Sequence, residues 1–210
     1  MLAESGLPAD ALQRAFGVWD AMRVEVMCGQ YLDVVEQARG GGSVERALRV
    51  AQFKSAKYTV ERPLHLGAML ADADAELVQV LSDYGLPIGE AFQLRDDVLG
   101  VYGDPVETGK PAGDDLREGK RTVLVAYALE RANDAQRDAL RRLLGDPALD
   151  EDGVTILRDV IAATGAVARV EQLIDERYDA ARQALASPLI DPVAAEALAE
   201  LAEAATRRER

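Results

Sequence analysis

One stretch, residues 73–101, limits what this chain can fold into more than any other. Set Gln93 at zero and step about 100° per residue along a helix. Ser82, Gly89, Gln93, Asp96, Asp97 and Gly100 then lie within about 60° of one line. Leu81, Ile88, Phe92 and Leu99 cover one flank, and Ala91, Leu94 and Val98 the other. A helix that is apolar nearly all round is a buried helix. This one carries a row of small and acidic residues through its apolar surround. Two neighbouring carboxylates on a buried helix are costly unless a cation compensates them. The glycines in the same row leave room beside them, so the row reads as one wall of a cavity. A lone Asp-Asp pair would by itself read as a solvated helix end; the apolar flanks and the following loop argue against that. Pro87 predicts a kink rather than a break.

The rest of the sequence predicts helices to pack around this one. Strong helix formers dominate, and strand-type alternation is nearly absent. A first helix is expected over 8–39, with Leu12, Ala15, Trp19, Met22 and Val26 at helical spacing. Gly40-Gly41-Gly42 stops it, and Ser43 is a good N-cap for a helix running to about 61. Pro63 ends or kinks that helix, and a short piece follows over 64–70. Beyond the central helix, residues 103–118 hold three Gly and two Pro and read as a loop. Further helices are expected from about 120, 134, 153 and 191, and one long amphipathic helix over 166–186. The fold class is all-α, in a single domain over 1–210.

The 210 residues suffice for one core, which would bury roughly 70% of the unfolded surface. Net charge is −13 and no long Lys/Arg run occurs, so nucleic acid is not an expected partner. Any anionic ligand must be held against that field by local cations or a bound metal. With one Cys and one His, a closed zinc site of the usual kind is excluded. Cys28 is expected as buried packing in a reducing compartment, and His65 as packing. No secretory leader or transmembrane run is legible, so the expected location is cytoplasmic.

The loop supplies the cations. It reads Gly109-Lys110-Pro111-Ala112-Gly113-Asp114-Asp115-Leu116-Arg117-Glu118-Gly119-Lys120-Arg121. Glycine lets the backbone approach a ligand closely, and lysine supplies compact charge for phosphate. Mg²⁺ typically takes one or two carboxylates plus substrate phosphate oxygens. Paired aspartates with nearby Gly-Lys therefore suit a Mg²⁺-diphosphate.

These residues resemble a known family. Gly89-Glu90-Ala91-Phe92-Gln93-Leu94-Arg95-Asp96-Asp97-Val98-Leu99-Gly100 is similar to the second aspartate-rich motif of the polyprenyl synthetases, the trans-isoprenyl diphosphate synthases. The Gly-Lys-Pro and Glu-Gly-Lys segments follow in matching order. Upstream, Gly29-Gln30-Tyr31-Leu32-Asp33 resembles the family's Gly-Gln-x-x-Asp helix, and Phe53-Lys54-Ser55-Ala56-Lys57-Tyr58 its Lys-Thr/Ser helix. The nearest flavour is an actinobacterial geranylgeranyl or farnesyl diphosphate synthase.

The resemblance implies a helical bundle around a central cavity, usually dimeric, as a homodimer or with a related synthase. It implies head-to-tail condensation of an allylic diphosphate with isopentenyl diphosphate. Asp96 would be a Mg²⁺ ligand, with Asp97 a ligand or beside one. Gln93 would hydrogen-bond near the diphosphate or the carbocation. Lys54 and Lys110 would grip the diphosphate, with Ser55 the hydroxyl after the first lysine. Gln30 and Asp33 would face the cavity, or equally serve as polar contacts at a dimer interface. Lys120 would act at the loop rim. Lys57 and Glu61, four apart, read as a surface helix pair. Tyr31, Tyr58 and Tyr84 read as core or interface.

Two departures carry expectations of their own. Gly100 stands where many members place a third aspartate, so one carboxylate is lost. The first aspartate-rich motif does not occur in these 210 residues. Asp175-Glu176-Arg177-Tyr178-Asp179 resembles it superficially but reads as a solvated face. The expectation is a protein lacking the family's N-terminal helices, either a truncated prenyltransferase or a non-catalytic partner subunit of a heteromeric synthase.

Overall fold

A computed structural model of the chain describes residues 4–40, 42–109, 111 and 113–207, with backbone only at 107 and 108. The described residues form helices and no strand. In chain order these are α1 (Ala9–Arg39), α2 (Val44–Ala51), a π-helical segment (Gln52–Glu61), α3 (Arg62–Leu70) and α4 (Ala75–Tyr102). Two short turns follow, α5 (Pro105–Thr108) and α6 (Asp114–Arg117). The remainder is α7 (Val123–Arg131), α8 (Asp134–Leu143), α9 (Glu151–Ala163), α10 (Ala166–Ala184) and α11 (Pro192–Thr206).

The helix ends follow ordinary capping chemistry. Gly40 closes α1 at φ 82°, in the left-handed region that glycine tolerates without cost. The Ser43 hydroxyl accepts from the Arg46 N–H at the start of α2. Asp74 caps α4, Thr122 caps α7, and Asn133 with Gln136 forms a capping box on α8.

α4 runs unbroken through Pro87, as expected of a proline that does not break its helix. Pro63 neither ends its helix nor separates two of them, because α2, the π segment and α3 are continuous. A proline inside a helix removes a donor and crowds the carbonyl four residues back. The widened turn before it, where the Arg62 N–H donates to the Lys57 carbonyl five residues away, makes room for that defect.

α4 is the axis of the bundle. α10 and the π segment pack along it, while α11, α3 and α6 cover its remaining sides. Tyr84, Ile88, Ala91, Leu94, Val98 and Val101 are its buried apolar residues. Ion pairs latch the C-terminal helices to it. Arg95 grips Glu171 of α10 with both terminal nitrogens at 2.7 Å, and its Nε donates to the Thr206 carbonyl of α11. Arg177 Nε donates to the buried Glu90 at 2.6 Å. α1 lies across the π segment and α3 on the far side. Its outer face leaves Phe16, Val24, Met27, Tyr31 and Val34 exposed.

Candidate diphosphate site

A cavity of about 210 Å³ opens between α1, α2, the π segment, α4, the residues around α6 and the start of α7. Its walls bring together Asp33, Lys54, Ser55, Gln93, Asp96, Asp97, Asp115, Lys120 and Arg121. Two glycines make this convergence sterically feasible. A Cβ at Gly89 would sit 2.7 Å from Ala56 Cα, and one at Gly29 only 2.6 Å from Lys54 Cα. α4 and α1 thus clasp the π segment backbone to backbone, which sets Lys54 and Ser55 opposite Gln93 and Asp97.

Lys54 Nζ donates to Asp33 Oδ2 at 2.5 Å. Asp97 is buried, and Gln93 Nε2 donates to its Oδ1 at 2.8 Å. Burial pushes the Asp97 carboxyl up to about 7; the nearby Asp115 and Asp96 carboxylates push the same way, against the Gln93 and Val123 N–H donors. Asp96 lies on the exposed side of the same wall. Lys120 Nζ donates to Asp115 and forms an ion pair with Glu118 at 3.0 Å. Burial alone would lower the Lys120 pKa, yet these two carboxylates raise it, so the ammonium stays charged.

Asp115 is a site residue that sequence reading missed. A Cβ at Gly100 would collide with the Asp115 carboxylate. The carboxylate expected to be lost at position 100 is therefore supplied from the loop into the same space. Its signal was the pairing of Gly100 with Asp115 fifteen residues on, which no local pattern exposes.

Other expected residues fall outside the cavity. Gln30 is exposed and absent from its lining. Asp33 follows Gly29 by one helical turn and shares its inward face, whereas Gln30 sits about 100° round from Gly29. Lys110 lies outside the described residues. Cys28 is exposed rather than buried. Tyr84 is in the core, but Tyr31 and Tyr58 are 69% and 50% exposed.

Lys57 and Glu61 do pair, at 3.0 Å, but within a largely buried network rather than at the surface. Glu25 of α1 binds Lys57 at 3.1 Å and takes two 2.7 Å bonds from Arg62. Arg62 Nη1 donates to His65 Nδ1, and the other ring nitrogen bonds the Ser82 hydroxyl. Burial lowers the His65 pKa, so the ring stays neutral, as that donation requires. Asp175, Glu176 and Asp179 are exposed, as expected of a solvated face.

Among the described residues no three His, Cys, Asp or Glu side chains are gathered closely enough to hold a metal alone. Asp97 and Asp115 are instead held by Gln93 and Lys120. A cation taking one or two of these carboxylates and completing its shell with ligand phosphate oxygens matches such a donor set.

A helical bundle with one acidic, lysine-bearing cavity is the class defined by this fold and site. Residues 2–161 match the polyprenyl synthetase family, and the chain belongs to it. It is 33% identical over 202 residues to the geranylfarnesyl diphosphate synthase of Aeropyrum pernix, covering 94% of this chain and 62% of that protein. A geranylgeranyl pyrophosphate synthase from Corynebacterium glutamicum, solved with isoprenyl diphosphate and magnesium, superposes with a TM-score of 0.95 at 44% identity. That match covers 98% of this chain and 58% of the other. A polyprenyl synthase from Caulobacter crescentus CB15, solved with calcium and isoprenyl diphosphate, gives a TM-score of 0.82 at 32% identity, over 92% and 59%. The chain thus spans about three fifths of the length of these relatives.

Proposed function

We propose that this chain carries the diphosphate-holding wall of a trans-prenyltransferase. In that reaction an allylic diphosphate is extended by isopentenyl diphosphate in a head-to-tail condensation. The observation that carries the reading is the meeting of Asp96 and Asp97 with Lys54 and Lys120 in one cavity.

Lys54 and Lys120 would bind the non-bridging oxygens of the allylic diphosphate, each exchanging its present carboxylate for phosphate. Ser55 is placed to donate a hydrogen bond beside Lys54. Asp96 and Asp97, with Asp115 behind them, would hold Mg²⁺, which when bound supplies positive charge against the charge developing on the leaving diphosphate. Gln93, fixed by its bond to Asp97, would face the reacting carbon end. Ala47, Val50, Ala51 and Val123 line the apolar part of the wall and exclude water. The −13 net charge makes a metal bridge between anionic wall and anionic ligand a physical need.

The exposed stripe of Phe16, Val24, Met27, Tyr31 and Val34 favours a second reading beside this one. Large apolar residues along one helix face mark an interface. The chain then works as a homodimer or as a partner subunit of a related synthase, non-catalytic on its own. No helix among the described residues is long and apolar enough to cross a membrane, and a cytoplasmic site of action fits the proposal.

Calorimetric titration with pyrophosphate in the presence and absence of Mg²⁺ tests the first reading. A component of binding that appears only with Mg²⁺ is expected; its absence would remove the proposal. Incubation of the chain with isopentenyl diphosphate and geranyl diphosphate then separates the two readings. Product formed by the chain alone favours the enzyme, and product only after addition of a complete relative favours the subunit.

A further inference from the structure

Next to the aspartate cavity, and sharing Arg121 with it, lies a second hollow of about 590 Å³. Arg39 from the last turn of α1, Gly40 and Gly42 after it, Arg121 before α7, and Arg137 and Arg141 on α8 line it. Four arginines converge here in a chain of net charge −13. Among the described residues no carboxylate lines the hollow.

The local bonding leaves most of this charge unanswered. Arg121 Nε is buried and has no hydrogen-bond partner, the one such side-chain atom among the described residues. Burial lowers its pKa, with no carboxylate acting in the other direction. Arg137 donates to the carbonyls of Ala132 at 3.0 Å and Leu129 at 3.5 Å, which orient the guanidinium without neutralising it. Its nearest carboxylate, Asp134, is exposed and 4.0 Å away. Arg39 has a loose 3.6 Å contact with Glu36, whose carboxylate is held at 2.8 Å by Arg46. Arg141 forms no ion pair among the described residues.

A guanidinium N–H that is buried without a partner is costly and is offset by an anion or another hydrogen-bond acceptor. Guanidinium groups match phosphate oxygens with two parallel bonds. We infer that Arg39, Arg121, Arg137 and Arg141 form a second anion site, which takes a phosphate or diphosphate group without a metal ion. The site lies at the rim of the aspartate cavity, with Arg121 between the two. It rests on the proposed diphosphate reading only for the kind of anion that reaches it.

The two hollows differ in sign, so one titration separates them. In EDTA the carboxylate-lined cavity repels a bare polyanion, whereas the arginine hollow attracts it. Calorimetry of the full chain with sodium pyrophosphate in EDTA is expected to give one site per chain. Arg141→Ala, a change at an exposed residue with no hydrogen bond or ion pair among the described residues, is expected to weaken that binding roughly tenfold. Arg121→Met is expected to abolish it without lowering the thermal midpoint, since a half-buried guanidinium with an unpartnered Nε is replaced by apolar volume. A purely structural arginine would lower the midpoint instead. Asp97→Asn is expected to leave the metal-free binding intact while removing the Mg²⁺-dependent component.

Parallel titration with sodium phosphate identifies the group. Equal affinity assigns a single phosphate, and tighter pyrophosphate a diphosphate. The inference is overturned if no metal-free binding occurs, or if it survives both arginine substitutions. Loss of only the Mg²⁺-dependent component in the unmodified chain would count against the aspartate cavity and leave the arginine site standing.

Discussion

Two cavities flank α4, and they are opposites. On one side Gln93, Asp96 and Asp97 face Lys54, Lys120 and Asp115. On the other, Tyr84, Ile88 and Phe92 face Val60, Leu64, Leu198 and Leu201 across a groove of about 330 Å³. α4 and the π segment contribute to both. Phe92 and Gln93 are adjacent in sequence yet enter different hollows, because one residue turns a helix by about 100°. Position, not composition, decides which hollow is polar. The polar cavity is held open by interactions that destabilise the empty fold, such as the buried Asp97. The apolar groove is closed by ordinary burial. Changes on the two sides should therefore separate ligand binding from stability.

The largest effect should come where both cavities depend on one contact. A Cβ at Gly89 would meet Ala56 Cα at 2.7 Å and its carbonyl at 2.8 Å, and neither backbone atom can turn aside. Gly89→Ala is expected to cost about 2–4 kcal/mol and to disturb both hollows. Chemical denaturation together with pyrophosphate titration checks this. Gly67→Ala is the control: nothing lies within 4 Å of a Cβ there. That exposed helical site should gain up to about 1 kcal/mol from the alanine.

Asp97→Asn comes next, and it should move binding and stability in opposite directions. Mg²⁺-dependent pyrophosphate affinity is expected to fall about hundredfold, as a metal-facing charge is lost. The metal-free protein should become more stable at pH 8 by roughly 1–3 kcal/mol. The sign follows from the raised pKa of about 7. The native state keeps a proton that the unfolded chain releases near its ordinary value of 3.8. This group's contribution is thus most favourable in acid and declines as pH rises from about 4 to about 7. Thermal melts across that range in EDTA should slope less in the variant. An unchanged slope would remove Asp97 as the cause.

Lys54→Met should act on binding alone. Lys54 pairs with Asp33 at a partly exposed site, so stability should shift by less than about 1 kcal/mol. Loss of a cation at the diphosphate is expected to weaken Mg²⁺-dependent pyrophosphate binding about tenfold. A fall in stability without a change in affinity would place Lys54 among structural residues.

Much of this was legible from local pattern. The angular arithmetic on residues 81–100 located the acidic row, and Ser43 marked the helix start it caps. What escaped depends on non-local geometry. Asp115 reaches the space above Gly100 only because α6 folds back onto α4. Lys57 and Glu61 keep their four-residue spacing whether α1 covers them or not, so periodicity could not reveal that Glu25 joins them. Gln30 lies outside the cavity for the reverse reason. Its motif neighbours turn inward at Gly29 and Asp33, and the pitch of α1 carries it outward. The arginine hollow draws its members from 39, 121, 137 and 141, a spread no sequence window contains.

The smallest expected effect lies wholly in the apolar groove and tests whether that side is silent toward diphosphate. The Tyr84 hydroxyl donates to the Leu198 carbonyl at 2.7 Å, tying α4 to α11. Burial pushes its pKa up to about 12, so the donor stays protonated at any pH where the fold is stable. Tyr84→Phe removes one neutral hydrogen bond, and Leu198 lies mid-helix in α11, where its carbonyl retains an intrahelical donor. The loss should be about 1 kcal/mol. Pyrophosphate affinity, with or without Mg²⁺, should not move. Chemical denaturation and calorimetry on the same preparation decide it. A change in affinity matching that of Lys54→Met would show that the two sides of α4 are coupled and that their separation of binding from stability is false.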